Sequence, residues 1–230
     1  MSPGYPIFLD VTQRLIVIVG GGAVASRKAQ GVIAAGAANV RAVAPAFLSD
    51  FPQKVEKIIG NFAPIHLDNA GLVFAATDSS AVNQTVVDEA RRRGILANRA
   101  DIDDEDPADF LTPAVLRCGA ITVAVSSKGL PSLSANIRDM LAGSLTDDWA
   151  NLADALGRVR LTIKSSNLPI ARRREIFRAL SSSEAATILA TEGEAGLWAW
   201  AKKSFGDFLP ILPESAKSSP VDNPSGGASA

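Results

Sequence analysis

A glycine-rich segment near the start of the chain has the spacing of a loop that holds a nucleotide phosphate. The segment reads VIVGGGAVASRKAQ and contains Gly20, Gly22 and Ala25 in the pattern G-x-G-x-x-A. In such a loop the first glycine permits a tight turn, and the second lets backbone N–H groups approach a pyrophosphate. The third small residue lets the following helix pack closely on the strand. The pattern alone also fits a plain turn between a strand and a helix, so its context must decide.

Polar residues near this loop are further candidates for contacting a nucleotide. Pro45 follows the second predicted strand at the position where an acidic residue commonly binds the ribose hydroxyl, so the sequence does not separate NAD from NADP. Thr77 and Asp78 follow another predicted strand, where ligands bind in open α/β sheets, although Asp78 or Ser79 is equally suited to capping the next helix. Lys28, in the glycine segment, either touches phosphate or belongs to a solvated helical turn.

One carboxylate is positioned for acid–base chemistry. Asp101 directly follows the predicted strand 95–100, so it is expected in the crevice beyond the sheet. A partly desolvated carboxylate there could act as a general base. The acidic residues that follow are expected to be solvated loop charges, and with no histidine or cysteine among them they do not predict a metal site. They are Asp103, Asp104, Glu105, Asp106 and Asp109.

The elements around these residues alternate between strand and helix in the first half of the chain. The predicted strands are 14–20, 39–44, 71–78 and 95–100, the predicted helices are 23–35 and 80–93, and the apolar segment KIIG near residue 58 is ambiguous. This order with short connections predicts an α/β fold, a parallel sheet covered by helices on both faces. In that context the glycine loop favours nucleotide binding over a plain turn.

The second half of the chain follows different patterns. Residues 110–127 predict two strands joined tightly at Cys118–Gly119, and residues 132–208 follow a helical period with breaks near 167–169, 181–184 and 192–193. The Ser-, Pro- and Gly-rich end is typical of a disordered tail. The predicted division is a dinucleotide-binding domain at 1–113, a β-containing segment at 114–145, a helical domain at 146–210 and a tail at 211–230.

Composition excludes several classes of function. The net charge of −1 provides no field that attracts nucleic acid or an anionic membrane. No apolar run reaches the ~20 residues of a membrane helix, and the N-terminus lacks the pattern of a secretory signal. The single cysteine, Cys118, permits no internal disulfide and suits a reducing compartment. We therefore expect a cytoplasmic protein that binds neither nucleic acid nor a membrane.

Four segments occur in the order seen in one known family. They read PIFLDVTQRLIVIVGGGAVASRKAQ, VFAATDSSAVNQTV, NRADIDDEDPADFLTPAVL and ITVAVSSKG. From about Pro6 to Leu180 the chain resembles the siroheme synthase N-terminal module, which comprises precorrin-2 dehydrogenases and, in some members, sirohydrochlorin ferrochelatases. The resemblance implies an NAD-binding Rossmann domain, a small β-containing dimerisation segment, a helical domain and a homodimer.

The resemblance also implies a reaction and roles for individual residues. Precorrin-2 would lose a hydride and a proton to give sirohydrochlorin and NADH, and some members also insert Fe²⁺ into sirohydrochlorin. Asp101, in the pattern N-x-x-D, matches the family's catalytic aspartate, and the predicted substrate-binding residues are Ser127, Lys128 and Gly129. The predicted cofactor-binding residues are Gly20, Gly21, Gly22, Ala23, Val24, Ala25, Pro45, Thr77, Asp78 and Asn98.

The chain departs from the family's pattern at two places. Arg99 is bulkier and charged where a small apolar residue is usual, and the segment SSKGLPSLSA contains Lys128 where glycines commonly follow the serine pair. An alternative hypothesis therefore stays open beside the dehydrogenase. The chain would then be a non-catalytic sensor of a nucleotide or a tetrapyrrole with the same fold.

Overall fold

The computed structural model describes residues 4–101, 108–127 and 129–206. It divides the chain into two compact units, with the boundary between Thr112 and Pro113. The first unit contains strands β1 (Leu15–Val19), β2 (Asn39–Ala44), β3 (Glu56–Ile59), β4 (Ala70–Ala75) and β5 (Leu96–Arg99), and helices α1 (Ala23–Ala34) and α2 (Ser80–Arg92). A short 3-10 turn, Pro64–Leu67, precedes β4.

The first unit is built on a parallel sheet in the order β3-β2-β1-β4-β5. The β1 strand lies at the centre, so β2 and β4 pair on either side of it. The ambiguous KIIG segment is the edge strand β3, which pairs only with β2 among the described strands. The predicted parallel α/β fold is therefore confirmed, with KIIG added as a fifth strand.

Helices cover both faces of this sheet, and successive side chains of β1 point to opposite faces. Ile16 and Ile18 pack in one apolar cluster with residues of α1, while Val17 and Val19 pack in a second cluster with residues of α2. The near-continuous apolar run of β1 is the pattern expected of a strand covered on both faces. We call these two sides of the sheet the α1 face and the α2 face.

The β4 strand ends earlier than its apolar run suggests. The prediction extends it to Asp78, but pairing stops at Ala75 and residues 76–79 form a loop that leads into α2. A hydrogen bond from Ala76 N–H to Val19 O marks the last contact with β1. The polar side chains of this loop therefore lie beyond the carboxyl end of the sheet.

The second unit consists of an antiparallel hairpin and helices. Strands β6 (Ala114–Cys118) and β7 (Ile121–Val125) pair through the predicted tight turn, and helices α3 (Pro131–Ala142), α4 (Asp147–Ser165), α5 (Ile170–Leu180) and α6 (Ser183–Phe205) follow. The backbone of Gly193 is non-helical inside α6, at the predicted break. Within the described residues, none of the helices is both long enough and apolar enough to cross a bilayer.

The structure corrects the predicted helix that began at Ser132 and had no break before residue 167. It ends at Ala142, and α4 begins at Asp147 after the connection 143–146. The signals for this break are present in the sequence, since Gly143 is the C-cap of α3 and Thr146 is the N-cap of α4. The predicted tail 211–230 lies outside the described residues, and the domain limits at 145 and 210 stay predictions.

Candidate active site

The first two glycines of the loop are required by close packing of the backbone. Gly20 has a φ of +134°, and a Cβ placed on it would overlap the carbonyl oxygen of Ala76. A Cβ on Gly21 would overlap the carbonyl oxygen of Ala46. The turn between β1 and α1 therefore touches the chain just beyond β4 and β2, which leaves no room for any other residue at either position.

Gly22 differs from these two because it faces open space. No atom lies within 4 Å of the position that a Cβ would occupy on it. Gly22 is the N-cap of α1, no side chain caps this end, and the first turn of the helix contains no acidic residue. The first N–H groups of α1 and the positive end of its dipole therefore face a volume suited to an anion. These residues fit the diphosphate of a dinucleotide.

The small residue in the third position of the pattern packs as the sequence predicts. Ala25 is fully buried and belongs to the cluster on the α1 face together with Ile16 and Ile18. The preceding residues, Ala23 and Val24, are exposed in the first turn of α1. The helix is thus seated closely on the sheet while its N-terminal turn stays accessible.

The loop after β4 is organised by a buried asparagine that the sequence analysis did not single out. Asn83 of α2 is 0% exposed. Its Oδ1 accepts hydrogen bonds from the N–H and the hydroxyl of Thr77 at 3.0 and 2.8 Å, and its Nδ2 donates to Thr77 O at 3.1 Å. The same Nδ2 donates to Asp101 Oδ1 at 3.0 Å. Asn83 therefore connects the ends of β4 and β5.

The capping alternative for this loop applies to Ser79. The Ser79 hydroxyl accepts a hydrogen bond from Val82 N–H and so caps α2. The Thr77 hydroxyl accepts the N–H of Ser79 at 3.2 Å, which fixes the loop from the other side. Asp78 is exposed. Thr77 therefore has a structural role at the crevice, and the Asp78 side chain faces solvent.

The carboxylate of Asp101 accepts four hydrogen bonds. Oδ1 accepts from Asn83 Nδ2 at 3.0 Å and from Arg99 Nε at 3.1 Å. Oδ2 accepts from the Ser80 hydroxyl at 2.8 Å and from Arg99 Nη2 at 2.7 Å. An ionised carboxylate offers about four lone-pair positions, so these bonds occupy all of them. The arginine contact is bidentate, the strongest geometry for such a pair.

Arg99 dominates the electrostatics of this site. Its side chain is 4% exposed, and its Nη1 donates to Gln84 Oε1 at 2.6 Å. The guanidinium beside Asp101, helped by the Ser80 hydroxyl, holds the pKa of that carboxyl well below its usual range. Partial burial raises the same pKa, but Arg99 outweighs it. The desolvated general base expected from the sequence is instead an ion-paired carboxylate.

Asn98 lies on the opposite side of β5 from Arg99. It is paired in register with Phe74, on the α1 face, whereas Arg99 is paired with Ala75, on the α2 face. Asn98 is 3% exposed, and its Nδ2 donates to Phe110 O at 2.7 Å. Its buried Oδ1 has no hydrogen-bond partner among the described residues. One side-chain acceptor thus stays open at the end of β5.

Lys28 of α1 contacts the segment that follows β5. Its Nζ donates to the Thr112 hydroxyl at 2.6 Å and lies 5.5 Å from the ring centre of Phe74. Burial lowers the pKa of this ammonium group, and neighbouring Arg27 lowers it further. The half-buried side chain therefore ties α1 to this segment.

The predicted substrate-binding residues lie in the second unit, between β7 and α3. The Ser127 hydroxyl donates to Leu130 O at 2.6 Å and lies 2.6 Å from the Ser134 hydroxyl, so it fixes the entry into α3. Gly129 is exposed and has a φ of +85°. Lys128 lies outside the described residues, as do the acidic residues at 103–106. Within the described part of the chain, no group of His, Cys, Asp or Glu side chains is arranged to hold a metal.

Comparisons with known proteins agree with this geometry. Residues 7–114, which contain the glycine loop, match the model of a family described as putative NAD(P)-binding. The chain is 34% identical over 191 residues to a siroheme synthase of Photorhabdus laumondii, covering 80% of this chain and 40% of that protein. It is 35% identical over 191 residues to siroheme synthase 1 of Serratia proteamaculans, with the same coverage. The chain thus spans about two fifths of these relatives.

A solved structure shares the fold. SirC, a precorrin-2 dehydrogenase, superimposes with a TM-score of 0.70 at 22% sequence identity, covering 87% of this chain and all of that chain. At this identity the match supports the architecture of the chain, namely the parallel sheet with its helices, the hairpin and the C-terminal helices.

Proposed function

We propose, from the premise that this chain belongs to the family of the siroheme synthase N-terminal module, that it oxidises precorrin-2 to sirohydrochlorin with NAD as the hydride acceptor. The observation that carries the proposal is the open cradle at Gly22, which lies at the same edge of the sheet as the ionised Asp101. A diphosphate and an acidic side chain would then share the crevice beyond the carboxyl ends of the strands. The reaction yields NADH, sirohydrochlorin and one proton.

The cofactor would be held mainly by backbone groups. The proposed contacts to the diphosphate are the N–H groups of Gly22, Ala23 and Val24, and a diphosphate at the N-terminus of a helix needs no cationic side chain. Bound NAD supplies the hydride-accepting ring. Pro45, Thr77, Asp78 and Asn98 complete the proposed contacts, and the open Oδ1 of Asn98 supports this assignment because it lacks a donor among the described residues.

We propose NAD, not NADP, as the preferred cofactor. The β2 strand ends at Ala44 and is followed by Pro45, and these two residues offer neither a carboxylate for a ribose hydroxyl nor a cation for a ribose phosphate. We take NAD as the acceptor, and parallel kinetics with the two cofactors measure the preference.

Asp101 is proposed to act through its charge. Removal of a hydride leaves positive charge on the macrocycle, and an ionised carboxylate fixed nearby stabilises that charge in the transition state. Ser127, Lys128 and Gly129 are proposed to contact the tetrapyrrole. The four hydrogen bonds on Asp101 do not favour metal insertion as a second activity, since that reaction needs acceptors for the pyrrole protons.

A homodimer is proposed as the working form. The hairpin of β6 and β7 has only two strands, and Val115 and Ala124 lie opposite each other on its exposed face. Two-stranded sheets are marginally stable and leave edges that readily accept another strand. A second copy of the chain would cover these groups. A cytoplasmic location is proposed with it, since Cys118 is free.

Anaerobic incubation of the purified chain with precorrin-2 and NAD tests the function. We expect NADH and sirohydrochlorin to form in equal amounts, each product being measured by its own absorbance band. Binding of NAD or a tetrapyrrole without turnover would contradict the proposal and support the non-catalytic sensor instead. Binding of neither ligand would contradict both hypotheses.

A further inference from the structure

The hydrogen bonds of Asp101 raise the question of how a carboxylate without a free lone pair takes part in a reaction that releases a proton. The bonds come from two directions. Arg99 approaches from β5, and Ser80 and Asn83 approach from α2. For Asp101 to accept a proton, at least one of these bonds must break, and the guanidinium would face a neutral acid in a nearly buried position.

Arg99 is itself held in place, so it does not swing away at little cost. Its side chain is 4% exposed, and its Nη1 donates to Gln84 Oε1 at 2.6 Å. Gln84 in turn donates to Asp88 Oδ1 at 2.9 Å. A chain of hydrogen bonds thus runs from Asp88 on α2 through Gln84 and Arg99 to Asp101. The fork of the guanidinium is oriented before any ligand binds.

We infer that Arg99 is a positioning residue that holds Asp101 as a fixed anion, so that Asp101 acts in the reaction as a stationary negative charge and not as the acceptor of the substrate's proton. This inference rests on the proposed function and specifies the role of Asp101 in it. The C–H bond of the substrate breaks with both electrons passing to the cofactor, and Asp101 stabilises the resulting cation. The proton then leaves to water.

The charged and polar groups around Asp101 allow its titration to be assigned. Among the described residues, Arg99 is the cation that contacts it, while Ser80 and Asn83 are neutral donors. Asp78, an acidic residue of the loop after β4, is exposed. Removal of an arginine from such a pair raises the pKa of a carboxyl by ~1–3 units. An apolar residue at position 99 therefore makes Asp101 titratable at a higher pH than in the natural chain.

The pH dependence of kcat tests the inference with three variants. The natural chain should show no acid limb between about pH 5 and 8, and Asp101→Asn should lower kcat about tenfold or more at every pH in this range. Arg99→Leu should raise the pH at which kcat falls on the acid side by about one unit or more, so the profiles are compared down to about pH 3.5. Arg99→Lys keeps a cation and should restore the natural profile. An ionisation of the natural chain in this range that Asp101→Asn removes would overturn the inference, as would an Arg99→Leu profile that matches the natural one.

A second measurement separates this inference from the proposed function. Urea unfolding between about pH 3 and 8 requires no substrate and so remains informative if the chain has no dehydrogenase activity. The stability difference between the natural chain and Asp101→Asn should stay constant down to about pH 5 and then shrink, because the carboxyl of the unfolded chain is protonated there while the native one stays ionised. In the Arg99→Leu background the folded and unfolded pKa values of Asp101 lie closer together, so the effect of Asp101→Asn should change less between about pH 5 and 3. If both backgrounds give the same pH dependence, Arg99 does not hold the charge and the inference fails.

Discussion

The three adjacent glycines of the loop differ in how much space surrounds them. Gly20 and Gly21 lie against the backbone carbonyl oxygens of Ala76 and Ala46, so a Cβ at either position would displace the backbone. Gly22 has room for a side chain, and its φ of −86° is accessible to any residue. At residue scale, Gly22 is therefore the position where cofactor binding can be changed without disturbing the fold.

We predict that Gly22→Asp weakens NAD binding without destabilising the protein. Aspartate is a favourable N-cap, so the unfolding midpoint should stay equal or rise slightly. Its charge would repel the diphosphate at the N-terminus of α1 and raise the Kd for NAD about tenfold or more. Isothermal titration calorimetry measures the Kd, and Gly22→Asn is the matched neutral control. Equal NAD affinity in the two variants would contradict the assignment of the cradle.

The glycine pattern and the position of Asp101 could be predicted from sequence because both depend on local order along the chain. The partners of Asp101 could not, since they depend on how α2 lies against the end of β5. Asn83 does leave a signal: it is a polar residue four positions before Val87, on the apolar side of its helix. Arg99 gives a similar signal, as a charged residue within a short buried strand.

At element scale, α2 supports the site from the α2 face of the sheet. Its inner side carries Val86 and Val87 into the apolar cluster, and its first turns carry Ser80 and Asn83 to Asp101. The cap at Ser79 fixes where this helix begins. The position of the Asp101 carboxylate therefore depends on the start and the packing of α2 as well as on β5.

We predict that Asn83→Ala destabilises the chain by ~1–3 kcal/mol. The substitution removes the partner of the Thr77 N–H and one donor to Asp101 in a fully buried position. Urea unfolding measures the effect. Thr85→Ala is the control on the same helix, because Thr85 is exposed and its hydroxyl donates to Ala81 O, so its effect should stay within ~0.5 kcal/mol. Equal losses of unfolding free energy in the two variants would show that the buried hydrogen bonds of Asn83 contribute no more to stability than an exposed residue of the same helix.

The strands and helices of the first unit were predictable because apolar period and glycine stops agree along that part of the chain. The end of β4 was not, since the apolar run continues after pairing stops at Ala75. The break between α3 and α4 was missed because apolar residues keep a helical spacing across Gly143–Thr146. In both cases the neighbouring elements, not the local pattern, determine where an element ends.

At the scale of the whole molecule, the chain consists of two units, with the nucleotide cradle in the first and the hairpin in the second. The match to the siroheme synthase of Photorhabdus laumondii covers 80% of this chain and so includes residues of both units. The proposed reaction assigns roles to Asp101 in the first unit and to Ser127 in the second.

We predict that the protein is a dimer at micromolar concentration. Light scattering coupled to size exclusion should give twice the 23.9 kDa of the chain. Val115→Lys and Ala124→Lys, placed opposite each other on the exposed side of the hairpin, put like charges on the proposed interface and should yield the monomer. Thr85→Lys, on the exposed side of α2, tests whether an added charge outside the hairpin has this effect. A monomeric natural chain would contradict the proposed assembly.

The alternation of Asn98 and Arg99 along β5 has a consequence for folding fidelity. A shift of this strand by one position against β4 would send the guanidinium into the apolar cluster beside Phe74 and separate it from its carboxylate. Such a misaligned sheet would carry an uncompensated buried charge, an error far costlier than a misplaced aliphatic side chain. The arginine that orients the acidic group thereby also disfavours misalignment of the edge strand as the sheet assembles.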